Sequence, residues 1–577
     1  MTAIPFQAVY ICFMKNMLKW LLLLMLLPAL ESKSQHIGKK FPKEDILSRQ
    51  QVENLAVFAE WWGFLKYFHP AVVKGHINWD SVAVDNIPGV LKAERKKDLD
   101  KILTRLYNSL PPAEPERHMK QPSGDSIFSI FSLKDIEAMA LPARMKSGFG
   151  ELWQYHSPDT NRKATVKYKQ HTLDYPLFID TLYNDGAADA SVRLLGLFRY
   201  WNIIRYFYPH KEIAATDWIG VLKNQIPSFY KVQGRLEYGK TVRRLSASLH
   251  DSHSFVNDRY FDSHYWGPNP PFTIAWLAGK YVISEVPSDS VAKEYNFRTG
   301  DIITSINGSP VQDREAELSG IMGGSNDAAL HRMISGYLLN VDSTDKVNIQ
   351  LERDGEVITT TIKRYPYAVI SGWGKKNSEL WKYVADSILY VRAFGIRKKD
   401  TLPELLGAMN ASKGVVMDLR GYPDFNTIMV LQDALLTDCR PYSFQTNWLA
   451  NYPGFFRTSR MEYRPFETLE LPAYKGKLIV LVDANTGSLP ESVAASLSQR
   501  PATLVLGSQT AGATGNMTWV YLPGNLSIGF TAVGERSAGD RFVQRKGVKI
   551  DLPVGQLISD LRKGEDTQIL AAVRQLQ

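Results

Sequence analysis

A serine stands where an apolar run gives way to a helical one, in Thr486-Gly487-Ser488-Leu489-Pro490-Glu491. Before it, Lys477-Leu-Ile-Val-Leu-Val-Asp483 reads as a strand; after it, Ser492-Val-Ala-Ala-Ser-Leu-Ser498 reads as a helix. Backbone N–H groups point outward at such a turn, and a hydroxyl there is exposed without burying polar backbone. That suits a nucleophile. The same residues also spell a helix cap: serine at the N-cap, proline in the first turn, glutamate at the third position. A second stretch able to do chemistry is His250-Asp251-Ser252-His253. A serine hydroxyl attacks poorly unless a neighbouring base takes its proton, and a neutral imidazole suits that task. Two other readings of His253 stand beside it. It can cap the carbonyls of a helix end, or pair with His250 and Asp251 on a metal, although no third ligand cluster is visible in the sequence.

The elements that would position these residues begin with a leader. Lys15 and Lys19 flank the start of an 11-residue apolar run, Trp20 to Leu30, which ends in polar Glu31-Ser-Lys-Ser-Gln35. A charged head, a short apolar run and a small-residue exit predict a secretory signal peptide over 1–34, cleaved near Ser34. The run is short for a membrane span, so the membrane is expected to matter only if the segment is retained as an anchor. Of the two cysteines, Cys12 lies in the leader, so the mature chain keeps Cys439 alone and forms no internal disulfide. The formal charge of +9 is scattered in short runs such as Arg95-Lys96-Lys97, which excludes a nucleic-acid tract. Nothing in the sequence calls for a cofactor.

The next region repeats itself. Trp62, Tyr67, Phe68 and Pro70 recur as Trp201, Tyr206, Phe207 and Pro209, an offset of 139 that also relates Trp79 to Trp218 and Leu110 to Leu249. One offset kept without a gap over about fifty residues predicts a duplication. Leu55, Phe58, Trp62, Leu65 and Phe68 share one helical face, and each copy is expected to close on a second helix, 99–110 and 238–249. Copy two then runs into His250-Asp251-Ser252-His253, where copy one has Pro111-Pro112-Ala113-Glu114. If the unit carries chemistry, only copy two keeps it. Between the copies, 119–187 reads as mixed strands and loops.

Further on, Lys280 to Val286 alternates as a strand, Ser288 to Tyr295 reads as a short helix, and Gly300-Asp-Ile-Ile303 precedes Ile306-Asn-Gly308. Two more strand patterns flank Asp354-Gly355, a hairpin turn. This order resembles a PDZ domain, which implies a groove taking an extended peptide by strand addition. From residue 366 onward, strands at 387–392, 414–419, 478–482 and 503–506 alternate with helices, predicting an α/β core with a largely parallel sheet. Sites in such sheets lie at the carboxyl ends of the strands, here Asp418-Leu-Arg-Gly421 and Asn485-Thr-Gly-Ser488.

Those two motifs, with Gly507-Ser-Gln-Thr-Ala-Gly512 and Gly547-Val548 before Asp551, resemble the tail-specific (C-terminal processing) serine peptidase family. The resemblance covers roughly residues 190–555 and implies a crotonase-like core with Ser488 as nucleophile. In the better-known branch the base is a lysine 25 residues after the serine, a position that holds Ala513 here. The tricorn-like branch uses a histidine from the helical region, and His253 is placed like it, with Ser252 beside it as an orienting group. That branch also has a glutamate where this chain has Gln544; Glu535 is the nearby substitute. The family's glycine-rich oxyanion loop is Gly421-Tyr-Pro-Asp-Phe425 here, and Pro423 has no N–H to donate. The amide of Gly421, or else that of Tyr422, together with that of Leu489, is the expected oxyanion donor set.

The sequence thus predicts a multidomain α+β protein: a leader over 1–34, helical copies over 35–118 and 188–258 around a connector over 119–187, a PDZ-like domain over 268–365 and an α/β peptidase core over 366–577. The expected activity is exported serine endopeptidase action on polypeptides or protein C-termini, with no metal. The alternative, resting on Ala513, Gln544 and the Pro423-Asp424 loop, is a peptide-binding pseudopeptidase of the cell envelope.

Overall fold

The computed structural model describes residues 46–113, 121–155, 166–168, 176–181, 183, 189–213, 217–287, 289–371, 373, 379–437, 439–449, 452–465 and 473–577. The expected leader lies outside them. These described residues fall in one unit.

The duplicated region folds as two sets of three helices: α1 (Arg49–Phe68), α2 (Trp79–Leu91) and α3 (Lys96–Asn108), then α4 (Ala190–Phe207), α5 (Trp218–Lys231) and α6 (Arg235–Ala247). The tryptophans of the repeat explain its persistence. In copy one the Trp62 and Trp79 indoles each donate to the other's carbonyl, both at 2.9 Å. In copy two Trp201 and Trp218 do the same at 2.7 and 3.0 Å. A buried indole needs an acceptor, and this reciprocal pair supplies two while pinning the first helix of each copy to the second.

The copies also meet at equivalent positions, as in a two-fold interface. Tyr67 packs edge-on against Tyr206 at 5.7 Å. Gly63 faces its counterpart Asn202, whose amide donates to the Ala59 carbonyl at 3.0 Å. A Cβ on Gly63 would lie 1.9 Å from the Asn202 Cγ, so only glycine permits this crossing. The connector, expected as strands and loops, also contains helices Leu133–Ala138 and Ala143–Gln154. Their short apolar stretches gain order by packing on the copies, as Phe149 does by stacking on Phe64 at 4.2 Å.

After α6 the chain passes through the His253 loop into an antiparallel sheet, ordered Glu356–Lys363, Lys346–Arg353, Ile302–Ile306, Lys280–Glu285, Thr273–Leu277. Asp354 and Gly355 join the first two with φ of 52° and 87°, the double positive pair of a tight hairpin. Helix α7 (Asp327–Tyr337) lies against the Thr273–Leu277 strand, which ends the sheet.

The core sheet runs β1 (Trp381–Ala385), β2 (Ile388–Arg392), β3 (Gly414–Asp418), β4 (Lys477–Val482), β5 (Thr503–Gly507) and finally β8 (Leu552–Pro553). It is parallel from β2 onward, with β1 as an antiparallel edge. All five residues of β3 are buried, as covering on both faces demands. A hairpin of β6 (Met517–Leu522) and β7 (Leu526–Thr531) is inserted before β8. The closing strand begins later than the sequence pattern suggested. Residues 544–548 form a turn, with φ of 65° at Arg545 and 70° at Gly547, and only Leu552–Pro553 joins the sheet. A second antiparallel sheet, Ile127–Ser129, Phe455–Glu462, Tyr442–Trp448 and Gly534–Ser537, draws strands from distant parts of the chain, which local patterning does not reveal.

Candidate active site

Ser488 sits between β4 and helix α8 (Leu489–Leu497) with φ 65° and ψ −120°. A side chain is strained there, at a cost of about 1–3 kcal/mol. The surroundings over-determine it. Thr486 Oγ1 donates to the Leu419 carbonyl at 2.9 Å and accepts from the Asp483 N–H at 3.1 Å, tying the ends of β3 and β4. The Ser488 N–H donates to the Ala513 carbonyl at 2.7 Å and to Glu491 Oε2 at 3.2 Å. Ser488 and Glu491 face each other as a capping box across the first turn of α8, where the Glu491 N–H donates to the Ser488 carbonyl at 2.9 Å.

Glu491 does more than cap. Its buried carboxylate also accepts from Thr510 Oγ1 at 2.6 Å, Gly512 N–H at 2.8 Å and Ala513 N–H at 2.9 Å. It therefore clamps the 510–513 loop against the serine turn. Burial pushes this carboxyl up to about 7, against the pull of the four donors. In the lysine-using branch the base would enter from position 513; here that place holds a buried methyl group.

His253 lies on the loop after α6, which continues into Val256–Asn257, paired with β7. This pairing sets the imidazole beside Thr531, with Nδ1 2.9 Å from Thr531 Oγ1. Asp251 fixes both partners. Its Oδ1 accepts from the His253 N–H at 2.9 Å and from Gln544 Nε2 at 3.0 Å, and its Oδ2 from the Thr531 N–H at 3.1 Å. Burial lowers the imidazole below its usual range, and Asp251 opposes this.

The serine and histidine loops meet across residues 510–514. Ala511 donates to the Thr486 carbonyl at 2.9 Å. From the other side Ser252 Oγ lies 3.5 Å from the Ala511 carbonyl, and Gln544, bonded to Asp251, accepts from the Thr514 N–H at 3.4 Å.

Two of the expected orienting groups are placed otherwise. Ser252 is bonded to Ser325 and not to the imidazole: its N–H donates to Ser325 Oγ at 2.8 Å, and its Oγ accepts from the Ser325 N–H at 2.9 Å. Glu535 accepts from Ser492 Oγ at 2.8 Å, one turn into α8, because its strand runs beside that helix. Thr531 takes the orienting position instead. No sequence signal marked it, since a threonine in a buried strand reads as packing. Gln544, which reads as a lost carboxylate, instead donates to one, Asp251.

Among the described residues, the amides of Gly421 and Leu489 donate to no acceptor. Gly421 is held by the Asp418-Leu-Arg stretch. Asp418 accepts from Tyr390 Oη at 2.7 Å and from Arg420 Nη2 at 2.7 Å, and Arg420 Nη1 reaches Asp566 at 3.1 Å. A cavity of about 1270 Å³ opens between strand Thr273–Leu277, helix α7 and the core loops at Asn485 and Gln509. Among the described residues no three His, Cys, Asp or Glu side chains converge as a metal site.

Residues 387–554 match the model of peptidase family S41, and residues 270–369 that of a PDZ domain. Residues 387–554 thus carry a peptidase family S41 core with a PDZ domain ahead of it, and the chain is a serine-type peptidase. Its fold is similar to that of mature CPAF complexed with lactacystin, with a TM-score of 0.53 and 12% identity over 67% of this chain and 98% of that one. A putative peptidase from Parabacteroides merdae ATCC 43184 is also similar, with a TM-score of 0.41 and 13% identity over 67% and 97% of the two chains. No curated protein matches.

Proposed function

We propose that the chain is an exported endopeptidase in which Ser488 is the nucleophile and His253 its base. The observation that carries this is the meeting of the strained Ser488 turn and the Thr531-oriented His253 across one loop. With Nδ1–H donated to Thr531 Oγ1, the lone pair lies on Nε2, where a general base needs it. Nε2 takes the Ser488 proton as Oγ attacks the peptide carbonyl. The Leu489 and Gly421 amides hold the oxyanion, a term in which one donor is worth about 10²–10³ in rate. His253 then gives its proton to the leaving amine, and water hydrolyses the acyl ester by the reverse proton path. The free edge of strand Thr273–Leu277 lines the large cavity and offers an extended polypeptide a strand to pair with.

A fluorophosphonate probe should label wild-type protein at Ser488, and peptide hydrolysis should fall about 10⁴-fold or more in Ser488→Ala and His253→Ala. Wild type that neither labels nor cleaves, while still binding peptide, would establish the pseudopeptidase alternative. A second expectation concerns pH. A general base works when neutral, and His253 is shifted below its ordinary 6.5. The acid limb of kcat/KM should therefore have its midpoint below 6.5, with full activity at neutrality. A midpoint at 7 or above would remove His253 from the role.

A further inference from the structure

The loop that begins the PDZ helix α7 reaches both halves of the peptidase site. Ser325, buried, is bonded twice to Ser252, the neighbour of His253. Its Oγ also lies 3.5 Å from Gln544 Nε2, the group that donates to Asp251. Asn326, the next residue, divides its amide between two tasks. Its Oδ1 caps α7 by accepting from the Ala329 N–H at 2.9 Å. Its Nδ2 donates to the Thr510 carbonyl at 2.8 Å and to the Arg545 carbonyl at 3.2 Å. Thr510 is the residue whose hydroxyl donates to Glu491, the clamp on Ser488.

The approach is too close to be incidental. A Cβ on Gly323 would lie 3.2 Å from Ala247 Cα, and one on Gly512 would lie 2.9 Å from Asn326 Nδ2. The first contact seats the PDZ loop on the end of α6, where the histidine loop starts, and the second seats it on the 510–514 loop that Glu491 clamps. We propose that Ser325 and Asn326 are positioning residues of the catalytic site, so that the PDZ domain completes that site through one loop. This rests on the Ser488–His253 reading. Neither residue touches the reacting atoms; Ser325 fixes the loop that carries His253 and Asn326 fixes the 510–514 loop packed against the Ser488 turn, and errors of about 1 Å in such loops cost about 10²-fold in rate. The same loop starts helix α7, which walls the cavity beside strand Thr273–Leu277.

Two variants of the full chain separate positioning from folding. Ser325→Ala removes the acceptor for the Ser252 N–H. Asn326→Asp keeps the acceptor that caps α7 but removes the donor to Thr510 and Arg545. Each should lower kcat about 10–100-fold with KM nearly unchanged, at an unfolding midpoint within about 2 °C of wild type. A structural role alone would not move the imidazole titration. The titratable groups facing His253 are Asp251 on its own loop and His210 beyond α4, and both remain in the variants. Loosening the loop admits water, so Ser325→Ala should raise the His253 titration toward its ordinary value. That is read by NMR of the imidazole in a Ser488→Ala background, which needs no turnover. Inactive wild type would defeat the Ser488–His253 reading. An unmoved titration together with wild-type kcat in both variants would defeat the positioning proposal.

Discussion

Ser488→Gly is expected to abolish hydrolysis and at the same time to stabilise the protein, whereas Ser488→Ala abolishes hydrolysis and leaves stability almost unchanged. At φ 65° and ψ −120° a Cβ is crowded by its own peptide groups, and the penalty of about 1–3 kcal/mol falls on serine and alanine alike. Glycine escapes it and gives back about 0.5–1 kcal/mol through its freer unfolded chain. Taking the middle of each range, the difference between the two variants should be about 1 kcal/mol in favour of glycine, read as the shift in denaturant midpoint. Both lose the hydroxyl, so both should lose about 10⁴-fold or more in kcat/KM. Strain held at a nucleophile is a trade of stability for a fixed direction of Oγ. Equal midpoints for the two variants would mean that the turn is unstrained.

This strain bears on what could be read beforehand. The residues from Thr486 to Glu491 fit both a helix cap and a nucleophile, and the cap is present: Glu491 reaches back to the Ser488 N–H. What no local pattern could show is the dihedral angle, because it is imposed by Ala513, Thr486 and Glu491 acting together. The repeat was legible because tryptophans that bond to each other's carbonyls cannot drift independently. The parallel core was legible because strands buried on both faces are apolar throughout. His253 was singled out through the copy that lacks it. Its orienting threonine was not, since Thr531 reaches it through a pairing between residues 256–257 and 527–528, about 270 positions apart. Ser252 and Glu535 were assigned to the imidazole by likeness of position; their own hydrogen bonds send them to Ser325 and Ser492.

Buried titratable groups set up the other large effect. His210 is 1% exposed, and among the described residues neither ring nitrogen finds a hydrogen-bond partner. Burial pushes it down to about 4, and does the same to His69, the residue that joins α1 to the next turn. Both are neutral in the fold and take up protons on unfolding below pH 6.5. Each therefore contributes stability that is present above 6.5 and lost as the pH falls toward 4. At pH 5 the loss is about 2 kcal/mol for each. Asp483 and Glu491 act with the opposite sign. Burial pushes them up to about 6 and about 7, so each favours the fold at low pH and disfavours it as the pH rises through those values. The two sets oppose each other, so a wild-type curve that is flat between pH 5 and 7.5 would conceal both. The variants uncover them. His210→Phe should gain about 2 kcal/mol at pH 5 relative to its own offset from wild type at pH 7.5, measured by denaturant midpoints. His69→Phe should do the same, and Asp483→Asn should move the other way, gaining at pH 7.5 relative to pH 5. Histidine variants whose offset from wild type stays constant across that range would show that neither imidazole is held neutral by burial.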